Sequence, residues 1–474
     1  MAMNMPTIYD EFSFGGEWWI AGEEEHKISG VLQFTKDQGI ILKLFGSFEY
    51  HRQSPDEPIV KRNVSYQIIH GDCFEGMVTL INGFSIRANT KHYPNENKMA
   101  NVNMIKFDLM LTGIHVSNLD EFRMKGMSVN FSNLEMWLLQ IPFETIFEPF
   151  GIKINETEKF DAYVEHLKCK IESSYTIEHK SELYEHETLI YKPYIFFHPD
   201  EPQNLNWFME TIVGFKNLLS ILMNTNIFIK SIEYSERHVR TIHIYPTPLA
   251  NYDPNIKVEQ FNSFVINPFI LRDNLSNVLD KWYSNKIESS ILMYLRTITS
   301  SDMLLEDKFL SYAKAIESIH RETNPNNKFV EEQLFNETVD KMLSAVKDSI
   351  DVNLYNKLRD TLKYANEHGF QRRIKESINV MPDDIKPYVL LGFNKIADFA
   401  DVVRKNRDYY THFGSVPDCL LSPHQFFGIN RSLKLITLYL ILRQIGISDE
   451  IFLHTIQQEA LWLINLERDR EKFA

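Results

Sequence analysis

Residues 105–111 read IKFDLML. Ile105, Phe107, Leu109 and Leu111 alternate with Lys106, Asp108 and Met110, a period of two that predicts a strand with one buried face. GVLQFT (30–35), GIILKLFGSFEY (39–50) and FRMKGMSVNFS (122–132) share this texture, punctuated by Gly, Asn and Asp. Strand-like segments continue through KFDAYVEHLKC and TLIYKPYIFFH to about residue 200. NLNWFMETIVGFKNLLSILMN (204–224) reads as one helix, after which IFIKSIEY and RTIHIYP return to strand. From about residue 270 the period changes. Leu305, Phe309, Tyr312, Ile316 and Ile319 step by four, three, four and three, one apolar stripe on a helix ending near Asn324-Pro325. Further helical runs cover about 328–349, 352–378, 391–411, 423–444 and 449–470, with Ser422-Pro423 as a start signal.

The expected fold class is therefore α+β and multidomain: a β-rich, sandwich-like N-terminal half followed by an all-α helical bundle. The Pro-rich YPTPLANYDPN (245–255) marks the boundary, giving domains 1–255 and 256–474, the first with a subdomain break near 150–160. With 474 residues, 44% hydrophobic and 24% charged, the chain is built like an ordinary globular protein of two or three domains.

The three cysteines, Cys73, Cys169 and Cys419, are odd in number and far apart. They exclude a disulfide framework and a cysteine zinc site, and they fit a reducing cytoplasm. MAMNMPTIYDEF is no signal peptide, and the longest apolar stretch, LITLYLIL (435–442), is too short to span a bilayer. No membrane partner is expected. A formal charge of −14 counts against non-specific nucleic-acid binding, so any nucleic-acid site must be a local basic patch.

Phosphate-loop, dinucleotide, D-x-D and H-E-x-x-H motifs are all missing. IEHKSELYEHE (177–187) gathers Glu and His but reads as a solvated loop. Neither a cofactor nor a metal is expected.

RKNRDYYTHFG (404–414) is the exception in an acidic chain. Arg407 and His412 suit RNA cleavage, because RNA carries its own nucleophile, the 2′-OH. Histidine moves protons near neutral pH, its reference pKa being about 6.5. Arginine stays charged and grips phosphate oxygens through its fork of donors. Asp408 is placed to orient one of them, and Tyr409 and Tyr410 either stack on a base or pack. Spacing alone is weak evidence: roughly two such pairs are expected by chance from composition. Arg87–His92 and Arg237–His243 are read as those chance pairs. On an ideal helix five residues turn about 500°, about 140° net, so Arg407 and His412 do not share a face. Either the helix ends or distorts between them, which Gly414 and Pro417 allow, or a second copy of the chain completes the site. The bland reading is that both residues cap the helix C-terminus. A second basic stretch, KLRDTLKYANEHGFQRRIK (357–375), either tracks an RNA backbone or is a solvated helix face.

The region from about 270 to 470 resembles an HEPN ribonuclease domain, whose motif of Arg, a polar residue and His after four to six residues is matched by Arg407, Asp408 and His412. RDYYTHFG is similar to the ApeA-type branch. FLSYAKAIESIHRE (309–322) resembles that branch's early helix, with Glu317 in a Glu-Ser/Ala-x-His setting. FSFGGEWWIAG with ISGVLQF and GIILKLFGSF (12–48) resembles the β-rich ApeA N-terminal domain. The resemblance implies a bacterial, cytoplasmic anti-phage protein that cleaves RNA, tRNA being a plausible target, in an abortive-infection response. It implies metal-independent action as a homodimer or higher oligomer. Arg407 and His412 would be the catalytic pair and Asp408 the orienter. Arg404, Lys405, Tyr410, Arg372 and Arg373 are expected to touch RNA, Glu317 to support the site, and the N-terminal region to sense a phage-derived trigger. The reading from another class is a non-catalytic module that binds a nucleotide or partner.

Overall fold

The computed structural model describes residues 7–35, 38–48, 64–93, 98–140, 142–148, 150–182, 186–236, 240–247, 264–300, 302–324 and 328–460. Most of the 245–255 boundary segment, the end of the 449–470 helix and Arg237 lie outside them.

Fourteen strands are described: β1 (Phe12–Ile20), β2 (Ile28–Thr35), β3 (Gly39–Leu44), β4 (Ser65–Cys73), β5 (Gly76–Tyr93), β6 (Lys98–Thr112), β7 (Met127–Phe131), β8 (Phe143–Phe147), β9 (Phe150–Ile154), β10 (Asp161–Val164), β11 (Cys169–Glu182), β12 (His186–Pro199), β13 (Ile229–Glu236) and β14 (Arg240–Pro246). All their pairings are antiparallel, as short hairpin connections dictate. Six of them close a ring in the order β6-β3-β2-β1-β4-β5, because β5 also pairs with β6. Closure removes the exposed edges that an open sheet of these strands would carry. From β6 the sheet continues outward as β14-β13-β7-β12-β11-β10, and β8–β9 stands as a separate hairpin.

The junction explains why the alternation in IKFDLML is imperfect. β6 pairs with β3 through Phe107 and with β14 from Leu109 onward. Up to Asp108 the strand alternates as expected. Beyond it Met110 and Leu111 are both buried and Leu109 half-buried, because both faces are now covered. Thr247 seals the switch, donating its N–H to the Asp108 carbonyl at 2.8 Å and its hydroxyl to that of Phe107 at 2.9 Å. IEHKSELYEHE departs from its expected loop: residues 177–182 and 186–187 are strand, forming the far end of the β11–β12 hairpin.

Two short or long helices accompany the strands: α1 (Leu134–Trp137) and α2 (Leu205–Leu222). Phe215 of α2 packs against Phe131, Trp137 and Phe197, which ties the helix to β7 and β12. Then follow α3 (Pro268–Leu271), α4 (Leu275–Tyr283), α5 (Glu288–Thr299), α6 (Leu305–Thr323), α7 (Glu332–Val346), α8 (Val352–Leu362), α9 (Phe370–Asn379), α10 (Lys386–Leu390), α11 (Ile396–His412), α12 (Pro423–Gln444) and α13 (449–460). The chain divides into two compact units, one containing the strands and most of α2, the other the helices from α4 onward.

In the helical unit α12 is apolar on nearly every side and is accordingly buried from Leu435 through Leu442. Its start is the expected Ser422-Pro423, completed as a capping box with Gln425. On α6 the stripe behaves as read: Phe309, Tyr312, Ile316 and Ile319 are buried, with Leu305 at the margin. The expected helix 352–378 is a correction. It is broken between α8 and α9, where buried Asn366 exchanges two side-chain hydrogen bonds with the Val330 backbone, at 3.0 and 2.9 Å. A buried amide with fixed backbone partners outweighs the helical propensity of its neighbours.

Trp18 and Trp19 are core residues of the ring, and Trp18 lies against Gly71 of β4. A Cβ at Gly71 would overlap the Trp18 ring. Gly71→Ala is therefore expected to destabilise the β unit by about 1–3 kcal/mol, the usual cost of overpacking, read as a lowered denaturant midpoint. An unchanged midpoint would show that the indole can move aside.

Candidate active site

α11 forms because Phe399, Ala400, Val403 and Asn406 share one buried face, and α11 packs against α9 and α6. It runs unbroken through Arg407 to His412 and ends at Phe413, which is left-handed with φ 48°. Of the two alternatives left by the sequence, a break between Arg407 and His412 is absent. Thr411 donates its hydroxyl to the Arg407 carbonyl at 2.7 Å, which reinforces that turn. The two side chains consequently diverge by about 140° around one helix.

Arg407 is held on three sides. Its Nη1 donates to Asp408 at 3.1 Å and its Nη2 to Glu317 of α6 at 3.3 Å. The guanidinium lies 5.0 Å from the ring centroid of Phe370, a cation–π contact. Asp408 accepts from both Arg407 and Arg404, the latter at 3.3 Å, so a carboxylate suits this position: every bond asked of it is an acceptor's. His412 differs. It is exposed, and its imidazole has no hydrogen-bond partner among the described residues.

The basic neighbours carry their own acids. Arg404 donates to Asp401 at 2.9 Å, and Lys405 pairs with Asp401 at 3.1 Å and Asp418 at 3.2 Å. Hydrogen bonds from Arg404 and then Lys405 hold the Asp401 carboxyl below the usual range. Tyr410 is half-buried, its ring edge-on to Tyr409 and Phe426 at 5.1 and 5.4 Å, and this burial raises its phenol.

Arg373 is a further correction. It is 1% exposed, donating to the His368 carbonyl at 2.7 Å and to Glu367 at 3.0 Å. A side chain sealed inside cannot track a nucleic-acid backbone. Arg372 stays accessible but is engaged with Glu376 at 2.7 Å and lies over Phe329. The cationic stretch 357–375 is thereby split between two helices and largely paired. Glu317 gathers Arg407, Arg321 at 3.1 Å and, more loosely, Arg373 at 3.9 Å.

Several participants escaped the sequence reading. Phe370 and Glu367 gave no local signal, since only the packing of α9 on α11 and α6 brings them in. Asn406 did give one: an Asn inside a helix is disfavoured unless its amide has other work. It is fully buried, donating to the Val402 and Cys419 carbonyls at 2.9 Å each and accepting from the Leu421 N–H at 3.0 Å. It thereby clamps the segment after α11 onto the helix.

A ring-and-sheet β unit joined to a helical unit makes this an α+β protein of two parts. Residues 13–284 match the family model described as ApeA N-terminal domain 1, and residues 310–451 match that of the Apea-like HEPN domain. The chain belongs to the ApeA family, which places it in nuclease-type anti-phage defence. No curated protein and no solved structure matches it. Among the described residues no helix is long and apolar enough to cross a membrane.

Asn406→Ala removes the partner of the Leu421 N–H and of the Cys419 carbonyl, and is expected to cost about 1–3 kcal/mol. Hydrogen exchange at Leu421 should accelerate more than exchange in α12. Equal protection in variant and wild type would show that the clamp is dispensable.

Proposed function

We propose that the chain is a metal-independent endoribonuclease acting in abortive-infection defence, with tRNA as a plausible target. The observation that carries this reading is an Arg407 fixed by Asp408, Glu317 and Phe370 and, further along the same helix of an Apea-like HEPN domain, an exposed His412 with no hydrogen-bond partner among the described residues. The 2′-oxygen attacks the adjacent phosphorus while its proton passes to a base. The P–O5′ bond breaks, the leaving oxygen takes a proton from an acid, and the products are a 2′,3′-cyclic phosphate and a 5′-hydroxyl. His412 serves a proton step, because imidazole exchanges protons near neutral pH. Arg407 answers the growing phosphorane charge, and Asp408 and Glu317 hold it in place.

Since the two side chains diverge on an unbroken helix, the complete site is shared by two chains, Arg407 of one beside His412 of the other around a two-fold axis. The N-terminal β unit senses a phage-derived trigger, and the protein acts in the bacterial cytoplasm. The competing reading is a non-catalytic nucleotide- or partner-binding module with a ligand-sensing β domain, which the existing pairing of Arg407 with two carboxylates would suit.

Purified wild type is expected to cleave total RNA in excess EDTA, alone or with infected-cell extract. His412→Ala and Arg407→Ala should each lower the rate by about 10²-fold or more. RNA binding without cleavage, unaltered by His412→Ala, would favour the binding module. Mixing the two inactive variants tests the shared site. A mixed dimer holds one intact Arg407–His412 pair if the pair spans two chains, so activity should return. Mixtures as inactive as either parent would place both residues in one chain's site.

A further inference from the structure

A second polar cluster lies in the helical unit, apart from the residues assigned above. His320 is in the last turn of α6, His368 in the turn before α9, and Glu376 further along α9. The two imidazoles are 4% exposed. Glu376 Oε2 is 2.7 Å from His320 Nε2 and 3.3 Å from His368 Nδ1. One ligand atom from each residue lies within 4.8 Å of the other two. Arg372 occupies the other carboxylate oxygen at 2.7 Å, which turns Oε2 to the histidines. A cavity of about 330 Å³ opens alongside, lined by His320, Asn324 and Glu376 among others, with room for an ion and water.

We propose that His320, His368 and Glu376, with the Asn324 side chain as a fourth ligand, bind a divalent transition-metal cation of the zinc type. Two imidazoles and a carboxylate are a borderline nitrogen–oxygen set, which suits Zn²⁺ and its neighbours and not Mg²⁺. The contacts of His320 are compatible with a cation. Its Nε2 is 2.7 Å from a carboxylate oxygen and 3.2 Å from the Asn324 amide nitrogen. A neutral Nε2 that donates to the carboxylate has no lone pair for the amide, and one that accepts from the amide sets lone pair against lone pair at Glu376. Interchanging the amide nitrogen and oxygen, which differ only by assignment, turns the amide oxygen to His320 Nε2, whose ligand cluster with Glu376 and His368 lies within 4.8 Å. A single cation can satisfy these acceptors together, whereas protons do so only as separate hydrogens on His320 Nε2 and His368 Nδ1. The far ring nitrogens, His320 Nδ1 and His368 Nε2, are buried without a hydrogen-bond partner among the described residues in either case, and do not decide the matter.

Such an ion pins the end of α6 to α9. It takes no part in the chemistry proposed for Arg407 and His412, so the two readings stand or fall separately. The metal-free expectation from sequence is revised only for this place. His320 and His368 lie 48 positions apart and His368 and Glu376 eight apart, numbers that no ligand motif would have flagged.

The test is titration of the chelator-dialysed full chain with Co²⁺, followed by its visible ligand-field absorption, and with Zn²⁺ by calorimetry, Mg²⁺ serving as control. The expected result is one Co²⁺ or Zn²⁺ per chain, a raised melting temperature, and no response to Mg²⁺. His368→Gln and Glu376→Gln should each weaken binding by more than about 100-fold, beyond the range for outer-shell partners. Should these variants not fold, Asn324→Asp decides: added charge at the fourth position should tighten binding and alter the Co²⁺ spectrum. No stoichiometric cation on wild type overturns the proposal in favour of a plain His–Glu–His hydrogen-bonded network. So does binding that none of the substitutions changes, which would place the ion elsewhere.

Discussion

The helical unit is organised around one buried charge. Arg373 cannot lose its proton, and a charge taken out of water is tolerable only if it is paired and hydrogen-bonded. Its donors therefore dictate what surrounds it: the His368 carbonyl, the Glu367 carboxylate and, at longer range, Glu317. Glu317 is on α6, Glu367 and His368 lie in the turn before α9, and Arg321 bridges the two carboxylates. Buried ion pairs add little net stability, yet breaking one is costly, so their influence is on arrangement. Here the arrangement fixes α6 against α9, and α9 supplies Phe370 beneath the guanidinium of Arg407. The position of the proposed catalytic cation is thus set by a residue that no nucleic acid reaches.

The same network constrains how a phosphate could approach. Arg407 already faces two carboxylates, so an incoming phosphate must share or replace them. Arg404 and Lys405 are in the same condition with Asp401 and Asp418. In a chain of charge −14, cations that each carry an acid produce little long-range attraction for RNA. Binding then depends on local geometry: a forked guanidinium and an aromatic support at close quarters.

What the sequence revealed follows from how local each feature is. The stripe on α6, the capped start of α12 and the helix α2 were all legible, because each depends on residues within a few positions. Ring closure was not, since β5 returning to β6 is a pairing that no single strand's pattern encodes. Nor was the change of neighbour at Asp108, which appears in sequence only as the apolar residue Met110 where alternation calls for a polar one. The split of 352–378 had a signal in Asn366 and Gly369, outweighed by the helical residues on either side. At the site, RKNRDYYTHFG disclosed which residues to watch but not their directions. One reading of the sequence put an end or distortion between Arg407 and His412, whereas the helix runs through His412 and stops at Phe413.

That stop places His412 in the final turn, exposed to solvent. Arg407, one turn and a fraction earlier, faces inward to α6 and α9. A proton-transfer group and a charge-stabilising group that act on one phosphate must both lie within hydrogen-bond reach of it. Within a single copy the unbroken helix leaves a divergence of about 140° between the two side chains. A two-fold axis near the helix end removes it without strain, because each chain then contributes the face the other lacks. On the proposed reading, the same regular helical geometry that holds Arg407 leaves the isolated chain with half of a site.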